Sequence, residues 1–213
     1  MTTLNQKMSN YRWTICALLF FATTVNYLDR QVLSLLQPEL TRLFNWSNTD
    51  YANITSTFTF MYAICTLFVG RIVDRLGTRK GYALAITVWS VGACIHALVS
   101  LIHPESKISM FGLAVIPASV FGFMICRTVL ALGEAGNFPA AIKTIAEWFP
   151  KRDRALATGV FNSGANIGAI AAPLLVPLIA KFWGWQWAFI IVGGIGFLWL
   201  IFWFIFYDTP ARM

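Results

Sequence analysis

Six apolar stretches of about 20 residues or more recur along this chain, and each is long enough to cross a hydrocarbon core about 30 Å thick as a helix rising 1.5 Å per residue. A segment surrounded by lipid must satisfy its own backbone polar groups, so each stretch is predicted to be a transmembrane helix. The helices are placed at 12–37, 49–71, 80–102, 119–147, 154–180 and 186–207, between a polar tail at 1–11 and a polar end at 208–213. Only 12% of the 213 residues are charged and 58% are hydrophobic, against roughly 25% charged in an ordinary soluble domain. The fold class is therefore all-α membrane. The tail has no small-residue cleavage site behind a short apolar core, so the first span is expected to remain uncleaved.

Local signals set the helix ends. Pro38 is expected to close the first span, Asn48 or Thr49 to cap the second, and Pro150 with the charged run Lys151 to Arg154 to separate the fourth from the fifth. Pro139, Pro173 and Pro177 fall inside spans as tolerated kinks. The stretch 103–118, with Pro104 and Pro117, reads as a re-entrant or interfacial piece or as an extension of the fourth span.

The net charge of +7 raises the question of nucleic acid, but the basic residues fall in short connections between apolar runs, so no nucleic-acid partner is expected. Their distribution instead predicts orientation, because cytoplasmic loops retain Lys and Arg. With the N-terminus inside, eleven basic residues are cytoplasmic (Lys7, Arg12, Arg71, Arg75, Arg79, Lys80, Lys143, Lys151, Arg152, Arg154, Arg212) and three are outside (Arg42, Lys107, Lys181). Both termini are then expected in the cytoplasm, with membrane lipid as the surrounding partner. Phe182, Trp183, Trp185 and Trp187 suit the opposite interface. Cys16, Cys65, Cys94 and Cys126 lie within spans without metal-ligand spacing and read as packing residues.

Four charges remain inside spans: Asp29 and Arg30 in the first, Arg127 and Glu134 in the fourth. A charge at the bilayer centre costs about 2.5–3.5 kcal/mol on insertion scales, so these groups must face a cavity or one another. Seven residues at 100° each return Glu134 to within about 20° of Arg127, roughly 10 Å along one helix face. Asn26 and Tyr27 stand four and three residues before Arg30, which makes a second polar stripe. Arginine grips carboxylates bidentately and buried acids exchange protons, so the set suits an anionic, hydroxyl-bearing solute coupled to protons. The alternative is mutual pairing that only holds helices together.

On the fifth span Asn162 and Asn166 are four apart, as are Gly164 and Gly168. The glycines suit close helix packing, while the asparagines suit either interhelical hydrogen bonds or a ligand. An intramembrane serine protease would need a base beside its nucleophile, but Ser163 has no histidine on its own or the sixth span. No catalytic residue, metal site or cofactor is expected.

The turn from Gly70 to Lys80, Gly-Arg-Ile-Val-Asp-Arg-Leu-Gly-Thr-Arg-Lys, is similar to the signature G-x-x-x-D-R-x-G-R-R of the major facilitator superfamily, with Thr78 replacing the first closing arginine. Asn26 to Arg30, Arg127 with Gly133 to Pro139, and Glu147-Trp148-Phe149-Pro150 resemble the anion:cation symporter branch, which includes hexuronate and galactonate carriers. The Glu-Trp-Phe-Pro segment and Phe161-Asn162-x-Gly164 look most like the hexuronate members. This resemblance implies the N-terminal six-helix bundle of the superfamily fold, built from two inverted three-helix repeats. It also implies proton-coupled symport of a sugar acid by alternating access in a bacterial inner membrane, with the proton as the coupling ion.

By the same resemblance Arg30 and Arg127 bind the substrate carboxylate with Tyr27, Tyr62 and Asn162 beside them, Asp29 and Glu134 handle protons, and Asp74, Arg75, Gly70 and Gly77 gate the conformational change. Ala165 stands where some sugar-acid relatives carry glutamine, which alters the set that reads hydroxyls. The resemblance implies a second six-helix bundle that is missing from this sequence. Truncation is the expected reading and self-association the alternative, and one half alone is expected not to transport.

Overall fold

The computed structural model describes residues 2–110 and 114–208. In chain order these form α1 (Thr2–Phe44), α2 (Asn48–Leu76), α3 (Thr78–Ile95), a 3-10 helix (His96–Leu101), β1 (Lys107–Met110), β2 (Ala114–Pro117), α4 (Ala118–Glu134), α5 (Asn137–Trp148), α6 (Arg154–Trp183) and α7 (Trp185–Phe206). Five helical stretches among the described residues are apolar and long enough to cross a membrane: Asn48–Leu76, Thr78–Leu101, Ala118–Trp148, Arg154–Trp183 and Trp185–Phe206. Helix α1 has the length, but Asn26, Asp29, Arg30 and Gln31 lower its hydropathy near mid-span.

Several helix ends differ from expectation. Helix α1 begins at Thr2, ahead of the expected start at residue 12, and it runs through Pro38 to Phe44. Proline removes only its own bond to the Ser34 carbonyl. The helix stops seven residues later, where Asn45 adopts φ 51° and the Trp46 N–H bonds the Thr41 carbonyl in a Schellman closure. The cap of α2 is Ser47, whose hydroxyl accepts from the Asp50 N–H while the Asp50 carboxylate accepts from the Ser47 N–H. The predicted fourth span is two helices: the chain bends at Ala135 and Gly136, and Pro139 sits harmlessly in the first turn of α5. Within 103–118 the described residues are not an extension of the fourth span, because β1 and β2 pair antiparallel with Lys107 opposite Pro117 and Met110 opposite Ala114. Of the expected polar end, Asp208 is described, while Arg212 lies outside the described residues.

The packing pattern is that of an inverted repeat. The first helix of each triplet packs on the second of the other (α1 on α6, α4 on α2), and the two third helices, α3 and α7, pack on each other. Glycines set the closest approaches. A Cβ on Gly133 would fall 2.2 Å from the Trp89 nitrogen, and one on Gly168 would fall 2.4 Å from the Thr24 oxygen, so α4 lies directly on α3 and α6 on α1. Gly77, at φ 75°, is the whole connection between α2 and α3.

One end of the bundle is tied by the Arg12–Asp153 pair at 3.1 Å, by Tyr11 donating to the Phe206 carbonyl, and by Arg79 donating to the Phe204 carbonyl at 3.0 Å. Glu147 joins three helix ends there, accepting from Thr78 at 2.6 Å and from Tyr207 at 2.9 Å. Burial, reinforced by the Glu147 carboxylate, pushes the Tyr207 phenol above its ordinary range, so it remains a donor. At the opposite end Phe44, Trp46, Phe123, Trp185 and Phe189 form one aromatic cluster. Trp185 therefore belongs to the core, whereas Phe182, Trp183 and Trp187 are exposed as a membrane-interface belt requires.

The glycine contacts generate a test. Gly133→Leu should lower thermal stability in detergent by on the order of 1–3 kcal/mol through overpacking. Gly159→Ala, where an added Cβ meets nothing within 4 Å, should leave it unchanged or raise it by up to about 1 kcal/mol.

Candidate functional site

Besides a small third cluster that joins Cys65, Val69 and Ala135, the two larger apolar clusters divide along α1, one holding its residues up to Ala22 and the other starting at Leu28. Across the gap between them runs a polar belt of buried side chains: Thr23, Asn26 and Asp29 on α1, Arg127 and Glu134 on α4, and Asn137 on α5. The helix break after Glu134 sets the geometry of this belt. Asn137, one residue past the bend, accepts from Tyr82 at 2.6 Å and donates to Thr23 at 3.3 Å, which fixes the bend against α1 and α3.

The nearest charge to Glu134 is on another helix. Arg30 Nε donates to Glu134 Oε2 at 2.5 Å, with the carboxylate side chain fully buried and the Arg30 side chain 26% exposed. Spacing alone had put Arg127 and Glu134 on one stripe; both are on α4 and both are buried, but the ion pair spans α1 to α4. Three aromatic rings hold the Arg30 guanidinium: Tyr62 at 4.6 Å, Tyr27 at 5.1 Å and Phe58 at 5.6 Å from centroid. The Arg127 guanidinium lies 5.5 Å from the same Phe58 ring. Both arginines line one cleft of about 140 Å³, together with Ser34, Tyr51, Thr55 and Thr59.

That cleft is open, cationic and hydroxyl-lined. Arg30 keeps a quarter of its side chain exposed after pairing through Nε, and Arg127 Nε has no protein partner. Asp29 is 3% exposed with Oδ2 unpartnered, and Glu134 Oε1 is likewise buried and unpartnered. Two acids with buried unpartnered oxygens, neither lining the cleft, thus accompany two arginines that do line it, and one of the acids is paired with Arg30. Such a set can take up an anion at the arginines and a proton at the acids.

Of the sequence candidates, Arg30, Arg127, Tyr27, Tyr62, Asp29 and Glu134 come together here. Asn162 does not line the cleft; it is exposed on α6, one residue past the buried Phe161. Tyr51, Thr55 and Phe58 went unnoticed in the sequence, although with Tyr62 they recur at spacings of four, three and four along α2, a single helix face.

The gating candidates sit at the tied end. Asp74 accepts from Lys143 on α5 at 2.8 Å. Gly70 and Asp74 face Phe138, Pro139 and Lys143 across a groove between α2 and α5. Arg75 is exposed, and Gly77 makes the turn.

Comparison with known proteins matches this geometry. Residues 19–213 match the family model described as Major Facilitator Superfamily. The chain is 32% identical to the hexuronate transporter of Escherichia coli K12 over 96% of its own length and 43% of that protein's. It is 31% identical to the galacturonate transporter of Dickeya chrysanthemi, covering 96% of this chain and 54% of the relative. It thus spans about half the length of the curated relatives it matches. Among solved structures, a bacterial homolog of the human lysosomal transporter Spinster superposes with a TM-score of 0.77 at 22% identity, covering 94% of this chain and 45% of that one. A proton:xylose symporter superposes with a TM-score of 0.77 at 17% identity, covering 95% of this chain and 46% of that one, so both share its fold. The chain folds as the N-terminal half of that architecture and belongs to the major facilitator superfamily.

Proposed function

We propose that this chain is the N-terminal half of a secondary transporter that carries a sugar acid, with hexuronate as the leading substrate, in symport with protons. The observation that carries this reading is the shared cleft: Arg30 and Arg127 line one opening, accompanied by two buried acids, Asp29 and Glu134. The guanidiniums suit a carboxylate, and the hydroxyls of Ser34, Tyr51, Thr55 and Thr59 suit the sugar alcohols. The names of the relatives support the same substrate class. A second reading keeps the mechanism and changes the acid, since relatives at 29% and 32% identity are named for D-galactonate and for galactarate/D-glucarate.

The coupling follows from the ion pair. While Glu134 is ionised it neutralises Arg30, and an arriving carboxylate competes for the same guanidinium. Substrate that takes Arg30 leaves Glu134 in a low-dielectric interior without its counter-charge, and a proton resolves that cost. Asp29, with its buried free oxygen, is the second acceptor. Alternating access needs a second, C-terminal bundle, against which this half rocks, with the Asp74–Lys143 end acting as a gate. The basic residues on the tied end support a cytoplasmic setting for that end and for both termini, in a bacterial inner membrane.

Sugar-acid binding and uptake by a complete two-bundle carrier containing this half test the reading. Arg127→Ala should abolish binding of galacturonate and related acids. Glu134→Gln should retain binding and exchange but lose accumulation driven by a proton gradient. Full accumulation by both variants refutes the assigned roles.

A further inference from the structure

One aromatic ring is common to both arginines of the cleft. The Arg30 guanidinium lies 5.6 Å from the centroid of Phe58 and the Arg127 guanidinium 5.5 Å from it, each over the ring. Phe58 is half-buried on α2 and lines the cleft with both of them. It also packs against the apolar cluster that holds α1 residues up to Ala22. Tyr62, one turn further along α2, stacks on it at 5.9 Å with 25° between planes, and the Tyr62 ring is itself 4.6 Å from Arg30. The core and a neighbour on its own helix therefore fix the Phe58 ring independently of either arginine.

Two guanidiniums at one opening repel each other, and inside a lipid-surrounded bundle each charge needs a compensating partner. Arg30 finds one in Glu134, through a 2.5 Å bond that occupies its Nε. Arg127 is 4% exposed and, among the described residues, forms no ion pair. Phe58 supplies its one cation–π contact among those residues. The two kinds of partner differ in what they leave over. A carboxylate takes up N–H donors, whereas an aromatic face attracts the cation through its quadrupole and accepts no conventional hydrogen bond, so the donors remain for a ligand. An aliphatic side chain in the same place fills the space and leaves the charge uncompensated.

We propose that Phe58 is a positioning residue for substrate binding, its ring holding the Arg30 and Arg127 guanidiniums at one opening so that a single anion draws on both charges. The two ring contacts stand on the geometry; their consequence for a sugar acid rests on the proposed function.

Fluorination separates the charge distribution of the ring from its shape, because each added fluorine drains the negative face with little change in size. In the complete two-bundle carrier, phenylalanine analogues with one, two or three ring fluorines at position 58 should raise KM for galacturonate step by step. The rise should reach about tenfold at three fluorines, with Vmax within about twofold of the parent. Phe58→Leu should raise KM at least as far. A KM that stays flat along the fluorinated series, or a loss confined to Vmax, overturns the proposal even where Phe58→Leu is impaired, because shape alone then accounts for the ring. Should Phe58→Leu not fold, the fluorinated series still decides. Should the unaltered carrier take up no sugar acid, the proposed function fails instead. A high-resolution structure of the trifluorinated form then decides the role of the ring: guanidiniums withdrawn from it support the proposal, and both unmoved overturn it.

Discussion

The arrangement of this bundle depends on the pairing of Arg30 with Glu134 across α1 and α4 inside an otherwise apolar body. Neither charge is tolerable alone at that depth, because an unpaired buried ion costs several kcal/mol and lipid supplies no water to compensate. The pair therefore dictates how α1 and α4 must be rotated. Once it is formed, Asp29 faces inward, Tyr27 and Tyr62 close over the guanidinium, and Arg127 is brought to the same opening. The rest of the fold makes this placement possible. Glycines let α3 press on α4 and α6 on α1, and the bend at Gly136 ends α4 directly after the carboxylate.

The same features connect stability to the proposed transport. A pair that only held helices together would be sealed on every side. Here the carboxylate is fully buried while the arginine keeps a quarter of its side chain exposed to a cleft, so the pairing is exchangeable from one face only. An anion entering that cleft meets the half-satisfied cation first and the acids second. In the proposed function, exchange of partners at Arg30 is the event that converts solute arrival into a change of protonation.

Much of the architecture was legible in the sequence because lipid imposes a severe rule: apolar length names the helices, and the few charges that violate it name the candidate site. Asp29, Arg30, Arg127 and Glu134 stood out for that reason alone. What could not be read was tertiary. Helical spacing related Glu134 to Arg127 on one helix, but its partner is Arg30, 104 residues away in sequence. Local stop signals also misled. Pro38 looked like an end, whereas Asn45 in a left-handed conformation is the true one, and the break at Gly136 was hidden because apolar residues continue on both sides. The hairpin at 107–117 has no periodicity strong enough to separate it from a short interfacial helix. The α2 face of Tyr51, Thr55, Phe58 and Tyr62 was visible as a pattern but gained meaning only when Arg30 was seen against it.

Coupling between anion and proton movement is the central claim, and the pH of the medium around de-energised cells expressing the complete carrier reads it directly. Adding galacturonate or galactonate without any imposed gradient should make the lightly buffered medium more alkaline as protons enter with the acid. Entry of the labelled acid with no change in external pH would contradict the account.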